Sequence, residues 1–306
     1  MNKRKRRFGD RRDGYRLRGI DPYDALSPYL MVERNDSQNS FADKFEITEV
    51  EKYVKEKREQ GYKTFTLMHV ILAAYVRTIS QKPYLNRFLS GQRVYARNSI
   101  QVNMAVKEEM TSDNTNTIIK VFFEPTDTAI EVYQKFTDTY NEAFSGGENA
   151  FDSVARIINY IPGIIKKFVV WFLKLLDYFG LLPKIILDVS PFHGSMCITS
   201  MGSLGIPPIY HHLYNFGNLP VFISFGAKRY AVELDNDGQV ARRKYVDYKI
   251  VVDERICDGF AYASAFKTFR RLLANPWLLD NPPETVYEDP NIDKKPKKKK
   301  AEKTKK

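Results

Sequence analysis

The stretch VVDERICDGF, residues 251–260, brings a carboxylate, a guanidinium, a thiol and an Asp-Gly corner within five positions of one another: Glu254, Arg255, Cys257 and Asp258-Gly259. A carboxylate at a strand end can work as a general base, pair with a Lys or Arg as a structural acid, or face solvent with no further role. All three readings of Glu254 stand on the sequence. To deprotonate a thiol of pKa about 8.5, a carboxylate of about 4.3 must first be raised by burial. Arg255 does not decide the matter, because neighbours along a strand point to opposite faces. Cys257 has no flanking histidine to activate it and reads as a small buried residue beside a turn.

Four histidines offer imidazoles. His69 lies inside an apolar helical pattern and reads as a core residue, and His193 precedes Gly194 with no signal attached. His211 and His212 follow PPIY and read as a surface or capping pair; the alternative is a base supplied to Glu254's neighbourhood from another element. Thr199 sits in the strand-like run GSMCITSMG, where threonine is an ordinary β-former that also carries a hydroxyl donor. No phosphate-binding glycine loop, dinucleotide fingerprint or metal-ligand spacing is present, so ATP, NAD and zinc have no support. Cys197 and Cys257 make no disulfide framework.

The elements that must position these groups alternate irregularly. Residues 21–47 read as extended segments, YLMVER and FADKFEI, around the polar turn NDSQNS. Thr48 and Glu51 have capping-box spacing ahead of a helix that ends near Gly61. TLMHVILAAYVRTISQ is apolar nearly all round, hence a central helix. NSIQVNMAVKEE and NTIIKVFFEP read as strands, and Thr128 with Glu131 caps a helix running to about Phe144. Strands return at GSMCITSMG and LPVFISFG, followed by a hairpin turning at Asp237-Gly238 and a helix from Asp258-Gly259 to about Leu273. Without regular βαβ alternation, this predicts an α+β fold with a mixed sheet and packed helices.

Residues 146–190 stand apart. The run IIKKFVVWFLKLLDYFGLL is too short in its uncharged part to span a bilayer. It reads as a buried helical hairpin broken at Pro162 and Pro183, with an amphipathic element against a membrane or an acyl chain as the alternative.

The 306 residues, 43% hydrophobic and 13% aromatic, suffice for a packed core. The net charge of +11 is concentrated in the ends. Residues 1–20 carry nine Lys/Arg against two Asp, and residues 289–306 carry nine Lys against three acids. Both ends, 1–20 and 281–306, read as solvated basic segments, able to make loose contact with RNA or an anionic membrane. The basic start is not followed by a signal-peptide apolar run, which favours a cytoplasmic, at most membrane-peripheral, protein.

Several segments in order resemble the catalytic domain of the dihydrolipoamide acyltransferases of 2-oxoacid dehydrogenases, which shares its fold with chloramphenicol acetyltransferase. GSMCITSMGSLGI resembles that family's G-T-F-T-I-S-N-L-G strand and turn. VDERICDGFAYASAFKTFRRLLANPWLL resembles its S-x-D-H-R-x-x-D-G-A-x-A-A-x-F-L strand and helix with the closing P-x-x-L-L. PPIYHHLYNFGNLPVFISFG, FTLMHVILAAYVRTISQKPYLNRFL and QVNMAVKEE match further segments, so the resemblance covers roughly 25–145 and 194–280.

The resemblance implies a chloramphenicol acetyltransferase-like domain over 21–280 with a helical insertion at about 146–190. It implies acyl transfer between coenzyme A and a thiol or hydroxyl acceptor, without metal, in a homotrimer whose active sites lie between subunits. Thr199 falls at the oxyanion-stabilising hydroxyl, Asp258 and Gly259 at the Asp-Gly of the motif, where the aspartate braces the site through an arginine; Arg16 and Arg18 are both open as that arginine. Glu254 occupies the position of the catalytic histidine. No lipoyl domain accompanies the chain, so it carries no covalent lipoyl group of its own. The alternative function is an inactive acyl-CoA-binding or assembly scaffold on the same fold.

Overall fold

The computed structural model describes residues 4–106, 117–145, 156, 158–235 and 237–293. A six-stranded mixed sheet forms the centre. Its strands are β2 (Gln38–Glu46), β5 (Ile100–Val106), β6 (Thr117–Phe123), β7 (Met196–Ser200), β8 (Val221–Leu234) and β9 (Val240–Asp253). Their order is β2-β9-β8-β7-β5-β6. β7 runs parallel to both β5 and β8, and the remaining neighbours are antiparallel. A small sheet, β1 (Gly14–Arg16), β4 (Arg93–Arg97) and β3 (Arg87–Ser90), lies beside it.

Alternation along the strands divides the large sheet into two faces. Met196, Ile198, Val221, Ile223, Ile250 and Val252 point to one side and join the main core. Helices α2 (Thr48–Glu59), α3 (Leu67–Gln81), α4 (Ala129–Phe144) and α7 (Gly259–Ala274) supply that core's other half. α3 is the central helix that its all-round apolar sequence predicts, with every residue from His69 to Ser80 buried. Cys197, Phe222 and Val251 point to the opposite side, where Leu213 joins them in a small apolar cluster.

The hairpin turns at Asp237-Gly238 as predicted, with Gly238 at φ +77°. The predicted Thr128–Glu131 capping box is formed, whereas Thr48 bonds Glu46 through its hydroxyl instead of capping α2. Three expectations are corrected. Residues Pro22–Leu30 form a helix, α1, rather than an extended segment, because Asp21 caps it and Pro22 opens it. The basic N-terminal segment is not solvated throughout: β1 pairs with β4, and Arg11 and Asp13 are buried. In the C-terminal segment, Asp289 and Ile292 are also buried; residues 294–306 lie outside the described set.

The third correction concerns the insertion. Its described part holds α5 (Gly163–Tyr178) and α6 (Lys184–Val189). The breaks at Pro162 and Pro183 fall where predicted, each proline immediately preceding a helix. The hairpin is not buried: Asp177 alone among the residues of α5 is buried, and Ile164, Phe168, Trp171 and Phe172 are exposed. No described helix is long and apolar enough to cross a membrane.

Candidate active site

The chain leaves the sheet at Asp253 and turns back through residues 254–257 into α7. Asp253, 1% exposed, holds this turn. Its carboxylate accepts Nε of Arg255 at 2.8 Å and Nη2 at 2.7 Å. Arg34 Nε stands 3.3 Å from the same carboxylate. Arg255 also donates to the carbonyls of Met31 and Val32 at 2.7 and 3.1 Å, tying the end of α1 to the turn. One buried carboxylate thus serves two guanidinium groups. Burial pushes the Arg34 pKa down, against the attraction of Asp253.

Glu254 is anchored at both ends. Its amide donates to Ser37 O at 2.8 Å, and its Oε2 accepts Asn39 Nδ2 at 2.8 Å. It lines an open cleft of about 290 Å³ together with Tyr23, Asp24, Asn39, Arg87 and Asp258. That volume sits at the lower edge of ligand pockets, roughly 300–1,000 Å³. Three carboxylates, Asp24, Glu254 and Asp258, and two guanidinium groups, Arg87 and Arg255, line it. Burial, reinforced by Asp21 and Asp258, raises the Asp24 pKa. Arg87 braces the cleft from below, donating to Ile256 O at 3.0 Å and to Asp289 at 2.5 Å.

Asp258 does not occupy the bracing position that the resemblance implies. It is exposed and caps α7, accepting Ala261 N at 2.8 Å. The buried aspartate–arginine pair of this turn is Asp253–Arg255, five residues before Asp258. Arg18 pairs with Asp10, and the Arg16 amide donates to Asp10. At Gly259 an added Cβ would meet open space, on the wall of the cleft. Its lack of a side chain keeps the cleft wide rather than relieving a clash.

Thr199 lies elsewhere. Ile198 points into the core, so Thr199 faces the opposite side of the sheet. There its register partner is Ser224, whose Oγ accepts Ile209 N at 3.2 Å. On the same side the His211 ring stacks on Phe222, centroids 3.9 Å apart and nearly parallel, and Lys249 Nζ sits 4.5 Å over the Tyr210 ring. Thr199, Ser224, His211 and Lys249 therefore share one half-covered sheet face, with His212 exposed beside His211. The structure puts Thr199 and His211 on one face of the sheet; it does not bring Thr199 to Glu254. From Thr199 the register crosses two strands to Lys249, and Glu254 lies five residues further on. At about 4.8 Å per strand and 3.3 Å per residue, the separation is roughly 20 Å within one chain.

The remaining candidates resolve as desolvated groups. His69 Nδ1 accepts the Thr66 amide at 2.9 Å, and burial lowers its pKa to about 4. Burial pushes the Cys257 and Cys197 thiols up to about 12, far from a nucleophile at neutral pH. Sequence reasoning missed a buried polar cluster beside β4. Arg11 bonds Asp13 at 3.0 Å and Asp177 at 2.6 Å, and His193 Nε2 stands 3.6 Å from Asp177. It also missed Asp24, Asn39 and Arg87 in the cleft. Asp24, Asn39 and Arg87 come from three separate stretches of sequence, and no local pattern joins them.

Neither a protein-family model nor a curated protein sequence matches the chain. Solved structures do match in shape. A probable dihydrolipoamide acetyltransferase of Listeria monocytogenes superposes with TM-score 0.53 at 13% identity, over 82% of this chain and 89% of that one. The cubic core of a pyruvate dehydrogenase multienzyme complex gives 0.52 at 14% identity, covering 84% and 88%. The dihydrolipoamide acetyltransferase (E2p) of Azotobacter vinelandii gives 0.52 at 15%, covering 84% and 88%. The fold is that of the dihydrolipoamide acetyltransferase core. The mixed sheet with packed helices expected from the sequence is thereby the observed one, and identities this low speak to the fold alone.

Proposed function

We propose that this protein transfers an acyl group between coenzyme A and a thiol or hydroxyl acceptor, as a homotrimer. The observation that carries this reading is the split of the chemistry into two half-sites on a fold shared with acetyltransferase cores. One half-site is the Glu254 cleft, oriented by Asn39 and by the buried Asp253 clamp. The other is the Thr199 face with Ser224 and His211. Since Thr199 lies roughly 20 Å from Glu254 in one chain by strand geometry, the reaction requires the Thr199 hydroxyl of one protomer to meet the Glu254 cleft of the next. In that arrangement the threonine hydroxyl donates to the tetrahedral oxyanion, and a group of the cleft takes the proton of the acceptor. Glu254 is the first candidate for that base. Asp24, whose proton affinity the cleft already raises, is the second.

A non-catalytic scaffold is the competing reading, favoured by a specific observation: Glu254 is tied to Asn39 and only half-buried, as a structural carboxylate would be. One experiment separates them. Purified protein is incubated with acetyl-CoA and longer acyl-CoAs, and thiol release is followed for the wild type, Glu254→Gln, Glu254→His and Thr199→Ala. Turnover that falls in Glu254→Gln and Thr199→Ala supports catalysis. Tight coenzyme A binding without turnover supports the scaffold, and absence of binding removes both.

A further inference from the structure

Helix α5 carries its hydrophobic side on the outside. At about 100° per residue, the half-buried positions Lys166, Val169, Leu173 and Leu176 and the buried Asp177 fall on one side, against the body of the protein. Asp177 fixes that side. Its carboxylate takes Arg11 Nη2 at 2.6 Å, its carbonyl takes Arg11 Nη1 at 2.5 Å, and Ser90 Oγ donates to the same carbonyl at 3.1 Å. Gly91, at φ +55°, lets the β3–β4 turn approach so closely that a Cβ there would lie 2.4 Å from Tyr178 O. The helix is therefore docked in a defined rotation, and the exposure of its other side follows from that docking.

The outward arc is ordered. Lys174 and Lys167 lie together at one edge, followed around the helix by Tyr178, Trp171, Ile164, Leu175, Phe168, Phe179, Phe172 and Ile165. Phe168, Trp171 and Phe179 are 60%, 55% and 65% exposed, and Leu181 and Ile185 continue the apolar surface beyond the helix. A protein-binding pocket has no need of a graded sequence from ammonium through amphipathic aromatic to pure hydrocarbon. A lipid surface does: lysine heads reach the headgroups, Tyr and Trp sit at the boundary, and Phe, Leu and Ile enter the acyl region. The local charge agrees, since the exposed Lys167 and Lys174 border this arc. The helix is too short to cross a bilayer, which leaves it lying in the interface.

We propose that the outward arc of α5 docks this protein in the surface of an anionic bilayer. The proposal does not depend on the acyltransfer reading. It is tested on the full chain with vesicles of phosphatidylglycerol and phosphatidylcholine in equal parts, and with pure phosphatidylcholine vesicles, by co-sedimentation. Phe168→Glu/Phe172→Glu is the main variant; both side chains are exposed, so the fold tolerates the change, and Phe168→Ser/Phe172→Ser repeats the test without new charge. A third variant replaces the nine lysines of 294–306 by glutamine. The expected result is anionic-vesicle partitioning that drops about a hundredfold in the glutamate variant, and by a lesser factor in the serine and tail variants. The Trp171 emission should shift to the blue on vesicle addition, a shift missing from Trp171→Phe. Binding unaffected by both Phe168/Phe172 variants, or no binding by the wild type, overturns the proposal. So does a change of molar mass in light scattering caused by those variants without vesicle binding, which would assign the arc to a second copy of the chain.

Discussion

Replacing Asp253 by asparagine tests whether one buried carboxylate holds the turn that presents Glu254. The side chain is 1% exposed and receives Arg255 through two nitrogens at 2.8 and 2.7 Å, with Arg34 at 3.3 Å and the Ser37 hydroxyl also at 3.3 Å. Asparagine keeps the shape and one acceptor oxygen but removes the charge, leaving two buried guanidinium groups facing each other. Removing one partner of a buried ion pair costs about 3–5 kcal/mol. The retained amide oxygen places Asp253→Asn toward the lower end, about 3–4 kcal/mol, a large fraction of the ~5–15 kcal/mol that stabilises a typical protein. With about 2–4 °C per kcal/mol for large domains, the melting temperature should fall by roughly 10 °C. Urea unfolding followed by circular dichroism measures the loss. The cycle Asp253→Asn, Arg255→Met and the double variant should return a coupling of about 2 kcal/mol or more. A loss below about 1 kcal/mol, or strictly additive effects, would refute the claim that this clamp carries the turn.

Other outcomes follow from the same geometry. Gly259→Val adds a side chain where the structure has open space; stability should change by under about 1 kcal/mol, while acyl-CoA binding, followed by calorimetry, should weaken about tenfold or more if the cleft is used. Burial acts to raise the Asp177 pKa, but His193 and Arg11 hold it at about 2. A depressed carboxylate contributes stability above its unfolded pKa of about 3.9 and loses it as pH falls through the folded value, here about 2–3 kcal/mol in all, most of it between pH 4 and 2. Asp177→Asn should flatten that acid limb in pH-dependent melts and raise deuterium exchange across α5. Alkylation of Cys257 and Cys197 by iodoacetamide at pH 8 should be far slower than for free cysteine, since desolvation pushes both thiols up to about 12; rapid labelling of the buried Cys257 in the native protein would contradict this.

Much of this protein was legible locally. The all-round apolar run at 67–81, the alternating residues of β5 to β9, the Asp237-Gly238 turn and the Thr128–Glu131 cap each carry their signal within a few residues, because helix and strand periodicity and capping are short-range. The same holds for Asp258-Gly259 as a helix start. What the sequence alone could not decide was every property that depends on which surfaces meet. The basic N-terminal segment looked solvated because its charge was counted without the distant partner Asp177 and without the strand pairing of β1 to β4, both of which only folding supplies. α5 looked like core because hydrophobicity marks a face for burial without naming what covers it. The Asp253 clamp, the Asn39 contact to Glu254, and the separation of Thr199 from Glu254 are set by strand order and register. Those are fixed by long-range pairing, and no spacing along the chain encodes a distance across three strands.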